Sequence, residues 1–266
     1  MDRIETIQNL FKYGWKVYKT LDESVRETTD DQLTVLQRLY AGFHGLSSLG
    51  DVNSHLQEVR FCKHPDTMEV RGGVCKWSTL DITWDVTEWP NQFQKQQYVE
   101  YATEAFRRWS SVCGIRPHYS PGNPRANITM GVRYIDGAYG VLAESELPCG
   151  RVSQCRQWYD TGDNWSAFDG AVGRGLDIIR VMVHELGHAL GMNHIGAGNL
   201  LAPTYSQNIW VPQKGDIQEM VSRYGNFTPP VDPTPVPADP EFYVLKFPKG
   251  PFTIDGFRIT KLVEAA

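Results

Sequence analysis

A chain of 266 residues, 41% hydrophobic and 21% charged, has room for one sizeable globular domain and a smaller one. Its formal net charge of -5 supplies no basic field, which argues against a nucleic-acid partner. No apolar run reaches the roughly 18–20 residues that span a bilayer. Residues 1–19, MDRIETIQNLFKYGWKVYK, hold no uncharged apolar stretch, so no signal peptide is visible.

In chain order, the apolar spacing of IQNLFKYGWKVYKT predicts a helix over residues 7–20. DDQLTVLQRLYAGFHGL predicts a second over 30–46, with Asp30 or Asp31 as N-cap and the glycine-flanked GLSSLG stretch as its end. SHLQEV, residues 54–59, reads as a third short helix. The first 60 residues thus read as a small helical bundle. CKWSTLDITWDV, residues 75–86, alternates and is rich in β-formers, which predicts a strand. Residues 94–113 read as an amphipathic helix with Tyr98, Tyr101, Ala102, Ala105, Phe106 and Trp109 on one stripe. IRPHYS, NITMGVRYI and GVLAESEL follow as strands, and about thirty loop-like residues come next.

From Asp177 to Leu190 apolar residues cover most of the helical circumference, so this helix is buried, with Asp177 as N-cap. DIQEMVSRY, residues 216–224, is a further helix closed by Gly225. PPVDPTPVPADP reads as a stiff polyproline spacer, and the last 26 residues as a hairpin or tail. The domain boundaries expected are 1–70 for the helical part, 71–227 for the main domain, 228–240 for the linker and 241–266 for the tail.

The chemistry concentrates in HELGHALGMNH, residues 184–194. His184 and His188 are four apart, so a helix sends both imidazoles from one face. Two nitrogens so placed grip a divalent ion, and Zn²⁺ suits imidazole. Glu185 sits beside that ion, where a carboxylate takes a proton from an attacking water. Gly191 permits a positive φ and a sharp helix end, and His194 returns from the loop as third ligand. The fourth position stays open, as catalytic zinc requires. Three hydrogen-bonded core histidines are the bland alternative.

His184-Glu185-x-x-His188-x-x-Gly191-x-x-His194 is the metzincin zinc pattern. The wider run GLDIIRVMVHELGHALGMNH resembles the active-site helix of the matrixins, the matrix metalloproteinase family. LDITWDV resembles that family's first catalytic strand, and GDIQEMVSRYG its closing helix. The resemblance covers about residues 30–226. It implies an α+β metzincin fold: a twisted, mostly parallel sheet with an antiparallel edge strand, two long helices and a C-terminal helix, after a helical propeptide bundle. It implies peptide-bond hydrolysis in which one catalytic zinc polarises the scissile carbonyl and Glu185 moves the proton. The substrate is then a protein or peptide, extended along Gly140, Val141, Leu142 and Ala143, with Pro203 and Tyr205 walling the S1′ pocket. An extracellular, monomeric enzyme with an intramolecular propeptide follows from the same likeness.

RFCKHPD, residues 60–66, resembles the family's inhibitory Cys-Gly-Val-Pro-Asp motif, so Cys62 is the expected fourth zinc ligand of a latent form. Phe61 stands between Arg60 and Cys62, where the family has the two adjacent, and Lys63 replaces a glycine. His64 is a distant alternative ligand and otherwise an idle surface histidine. Leu201 occupies the place of the metzincin methionine below the zinc. Glu144 and Trp158 stand where the family's structural zinc takes histidines, so one zinc is expected rather than two. Asp136, Asp160 and Asp163 match the family's calcium loop, with solvated loop acids as the alternative.

Of five cysteines, Cys149 with Cys155 and Cys75 with Cys113 are pairings the sequence allows, leaving Cys62 single; spacing does not fix the connectivity. Two rival functions stand beside the protease. One is a binding module whose bundle anchors to cell wall or a partner, with a regulatory zinc. The other is a structural zinc protein with Cys62 as permanent ligand.

Overall fold

The computed structural model describes residues 1–58, 60–62, 64–66, 74–150, 152–168, 175–228, 252–254 and 257–259. Lys63, residues 67–73 and the proline-rich stretch 229–240 lie outside them. The chain divides into two compact units, Met1–Thr228 and Pro229–Ala266.

The first unit opens with α1 (Arg3–Lys12), α2 (Leu21–Glu27), α3 (Asp30–His44) and α4 (Gly50–His55). The helix predicted over 7–20 is shorter and earlier than its apolar spacing suggested. Gly14, at φ 92°, breaks it, and Trp15 N–H turns back to Leu10 O at 2.8 Å. Thr20 then starts α2 through a reciprocal capping box with Glu23. The N-cap of α3 is Thr29, not Asp30 or Asp31, because Thr29 and Gln32 form a second box. Gly45, at φ 67°, ends α3. Ile7, Leu10, Trp15, Leu36, Tyr40, Val52 and Leu56 form the buried core of this bundle.

Next come β1 (Arg60–Cys62), β2 (Asp81–Val86), α5 (Lys95–Ser110), β3 (Arg116–Tyr119), β4 (Ile128–Arg133), β5 (Val141–Ser145) and β6 (Cys155–Asp160). A two-residue ladder, β7 (Trp165–Ser166) with β8 (Leu176–Asp177), leads into α6 (Ile178–Ala189), and α7 (Lys214–Tyr224) closes the unit. The six-stranded sheet has the order β1-β5-β6-β4-β2-β3. Only β5 with β6 is antiparallel; the other pairs run parallel. This mixed sheet with helices is the α+β arrangement the sequence implied.

β6 corrects the expectation of a loop after residue 147: Cys155, Gln157, Tyr159 and Asp160 are buried in it, and it pairs with β4 over six residues. The strand expected over 75–86 begins only at Asp81, and Cys75 is tied to Cys149 by a disulfide. Neither allowed pairing therefore holds. Cys113 and Cys155 are buried free thiols, and Cys113 instead donates to Trp109 O at 3.3 Å.

α6 runs through the centre of the larger core, with every residue from Ile178 to Ala189 buried. Each aliphatic side chain so buried stabilises by about 1.5–3 kcal/mol. Indole donors clamp it: Trp109 of α5 bonds Val183 O at 2.8 Å, and Trp77 bonds Ala189 O at 2.9 Å. Asp177 caps it as expected, accepting from Ile179 N–H. Among the described residues no helix is long and apolar enough to cross a membrane. In the second unit, β9 (Phe252–Ile254) pairs antiparallel with β10 (Phe257–Ile259), as the hairpin reading expected.

Candidate metal centre

The i, i+4 spacing of α6 sends His184 and His188 off one face. Gly191 reverses the chain at φ 98°, and a Cβ there would lie 1.9 Å from Cys75 O, so only glycine fits. The reversal delivers His194. Among the described residues, Cys62, His184, His188 and His194 form a buried group whose ligand atoms all lie within 4.8 Å of one another. Cys62 Sγ is 3.7 Å from His184 Nε2 and 3.3 Å from the Nε2 atoms of both His188 and His194.

The tautomers are fixed from behind. Nδ1 of His184 faces Leu200 O at 2.8 Å, that of His188 faces Met192 O at 2.8 Å, and that of His194 faces Pro65 O at 3.1 Å. A carbonyl only accepts, so each Nδ1 carries the proton and each Nε2 lone pair points inward. Burial lowers the pKa of His184 to about 3 and those of His188 and His194 well below the ordinary value, so the imidazoles are neutral. Burial pushes the Cys62 thiol well up, and the Glu185 charge pushes the same way. Both Glu185 carboxyl oxygens are buried without a hydrogen-bond partner, and burial raises its pKa. Four inward-facing soft and borderline donors beside an orphaned carboxyl group fit Zn²⁺.

The strand β1 brings Cys62 there. It pairs parallel to β5, Arg60 opposite Val141 and Cys62 opposite Ala143, while Phe61 N–H bonds Pro203 O at 3.0 Å. It thus lies between the strand and the wall expected to hold substrate. Gly140 contributes its carbonyl to Arg60 N–H at 3.2 Å, and a Cβ on it would meet the Asp136 carboxylate at 2.5 Å. Leu142 is fully buried in the core. Tyr205 accepts from Asp177 N–H at 2.9 Å through its hydroxyl, which holds the wall against the start of α6.

Sequence reasoning missed two supports. Asp66 collects Arg60, His44 and Trp15 on one buried carboxylate, tying bundle to strand. Asp216 accepts the backbone N–H groups of Leu200, Leu201 and Gln213, fixing the carbonyl that orients His184. Both are short acids near turns, the one signal available. His64 is not an idle surface histidine: its Nε2 contacts the Ser145 carbonyl and its ring lies 4.4 Å from that of His188.

Leu201 lies under the helix, its methyl groups 2.8–2.9 Å from where a Gly187 Cβ would stand, and so it forms the apolar floor. Of the two residues named for the absent structural zinc, Glu144 pairs with Arg133, whose guanidinium lies 4.1 Å over the ring of the other, Trp158. Asp136, Asp160 and Asp163 gather around one loop. Burial alone would raise the Asp160 pKa, but the N–H groups of Ile135, Asp136, Gly137 and Gly162 outweigh it and hold it below the ordinary value. Burial pushes Asp163 up to about 6, and its Oδ2 is buried without a hydrogen-bond partner, the kind of orphaned oxygen a hard cation satisfies.

Comparison with known proteins agrees with this geometry. The family model described as Matrixin matches residues 76–225, more than half of the chain. The chain is 28% identical to "Matrix metalloproteinase-C" of Caenorhabditis elegans over 50% of its own length and 24% of that protein's. It is 28% identical to human "Matrix metalloproteinase-25" over 71% of its length and 37% of the relative's. To human "Matrix metalloproteinase-26" it is 25% identical over 80% of the chain and 84% of the relative. It thus spans well under half of the first two relatives and most of the third. The zinc-binding pattern, the mixed sheet and the family match lead to one conclusion: the chain belongs to the matrixin family of metalloendopeptidases.

Proposed function

We propose that the chain is a latent zinc endopeptidase held inactive in cis by Cys62. The observation that carries this is the convergence of Cys62 Sγ with the Nε2 atoms of His184, His188 and His194. Zinc, when bound there, supplies Lewis-acid polarisation of a scissile carbonyl and a more acidic water. Cys62 takes the position that catalysis needs free.

The remaining roles belong to the chain. Glu185, with both oxygens free of hydrogen bonds, accepts the proton of the attacking water and returns it to the leaving amine. When β1 departs, β5 offers its edge, Val141 to Ala143 after Gly140, to an extended substrate backbone. Pro203 and Tyr205 bound the pocket for the substrate side chain. Residues 1–70 act as the propeptide. The Cys75–Cys149 disulfide lies beyond the region of cleavage, so it holds the new N-terminus to the catalytic part and not the propeptide to it. Asp136 and Asp163 hold a structural calcium, while Asp160, whose two oxygens accept four backbone N–H groups, shapes the loop rather than the ion. The family likeness supports an exported, monomeric enzyme acting on proteins.

A closed set of four protein donors also fits a structural zinc. Glu185, unpaired beside it, has no use in that reading. The two separate in a quenched-peptide assay run before and after proteolysis between Asp66 and Cys75, with Glu185→Ala as control. Turnover that appears on cleavage and is missing in Glu185→Ala supports the peptidase. A cleaved protein that loses zinc and fold without turnover contradicts it.

A further inference from the structure

Phe61 stands between Arg60 and Cys62, where the inhibitory motif has the two adjacent, and its side chain is buried against His184 and Tyr205. Its ring lies on the imidazole of His184 with centroids 4.3 Å apart and planes 11° from parallel. It also meets the Tyr205 ring at 5.1 Å, tilted by 55°. It is 2% exposed and belongs to the main core, although it comes from the N-terminal segment. Its backbone N–H is bonded to Pro203 O, so the strand presents it to the wall as a bound chain would present a side chain.

We infer that Phe61 is a pseudosubstrate plug. It fills the slot between His184 and Tyr205 in the latent protein, and the same slot takes a planar aromatic side chain from the residue that follows the scissile bond of a substrate. This rests on the peptidase reading above. A slot walled by an imidazole face parallel to the ring rewards a stacked aromatic beyond its buried area, which an aliphatic chain does not match. Latency then has two anchors on adjacent residues: sulfur on the metal at Cys62 and an aromatic ring in the slot at Phe61. Because both sit on one three-residue strand, loosening either exposes the other.

The test uses the full zinc-loaded chain and then its cleaved form. Labelling of the Cys62 thiol by a maleimide is timed in wild type, Phe61→Ala and Phe61→Leu. The Cys62→Ser protein measures any contribution from Cys113 and Cys155. Phe61→Ala is expected to label at least about tenfold faster than wild type, as loss of a pocket-filling side chain implies, with Phe61→Leu between them. Phe61→Leu keeps most of the buried volume and so checks that the effect is not unfolding, with zinc content and melting temperature as controls. Labelling of both variants at the wild-type rate overturns the plug.

After removal of residues 1–70, peptides alike except for Phe, Leu or Ala after the scissile bond are compared by kcat/KM. Phe is expected to exceed Leu about threefold to tenfold and Ala by at least about tenfold. A flat series, or Leu above Phe, overturns the aromatic preference while leaving the peptidase intact. Cleavage of none of them removes the peptidase reading and this substrate class together, and the labelling rates still decide the plug.

Discussion

Asp66 Oδ2 receives the indole N–H of Trp15 at 2.8 Å, joining the helical bundle to the segment that carries Cys62. The same oxygen faces His44 Nε2 at 2.9 Å, and the other oxygen pairs with Arg60, whose guanidinium lies 3.7 Å over the Tyr13 ring. The carboxylate is fully buried. Asp66→Ala leaves Arg60 buried and uncompensated, so it should destabilise the docked N-terminal segment by about 3–5 kcal/mol. Calorimetry of the full chain checks this, and Cys62 labelling should quicken in parallel. An unchanged melting temperature would show that the carboxylate does not hold the strand in place.

Asp216 predicts an effect at a distance. Its carboxylate fixes the N–H groups of Leu200 and Leu201, and Leu200 O orients His184. Asp216→Ala should weaken zinc binding about 10–100-fold, the usual effect of losing a group that supports a ligand. Competition with a chromophoric chelator measures it. Affinity equal to wild type in a folded variant would place the orientation of His184 elsewhere.

The floor beneath the histidines is a packing claim. Leu201→Met conserves volume and should cost less than about 1.5 kcal/mol, whereas Leu201→Ala opens a cavity worth about 2–5 kcal/mol. Gly187→Ala should also destabilise, because its Cβ would meet Leu201 at 2.8 Å. Denaturant unfolding of the three variants gives the order. A Leu201→Ala variant as stable as wild type would mean that the floor carries no packing energy.

The Cys75–Cys149 disulfide closes a loop of sequence separation 74. On the chain-entropy account such a loop adds about 4 kcal/mol. Reduction should therefore lower the melting temperature of both full and cleaved protein, and Cys75→Ser with Cys149→Ser should reproduce the drop without reductant. Equal melting temperatures with and without reductant would assign the bond no part in stability.

The local parts of the site were legible in the sequence because local geometry sets them. His184, His188 and Gly191 follow from one helical turn and one positive φ, and α6 with its Asp177 cap follows from an apolar run behind a short acid. The strand β6 was hidden because Arg156 and Gln157 interrupt its apolar pattern, and burial of Asp160 among backbone N–H groups is a tertiary fact. β1 has only three residues and exists as a strand because β5 and Pro203 O are there to pair with it. The disulfide depended on which segments meet in space. The same holds for Asp66, whose three partners come from residues 15, 44 and 60.

The proposed latent centre is one zinc held by three imidazoles and the Cys62 sulfur. X-ray absorption at the zinc edge of the full chain tests it most directly. The spectrum should fit three nitrogen neighbours at about 2.0–2.1 Å and one sulfur at about 2.3 Å, and the sulfur shell should vanish in Cys62→Ser. A zinc-loaded wild-type protein with no sulfur neighbour, or a folded chain that takes up no zinc, would contradict it.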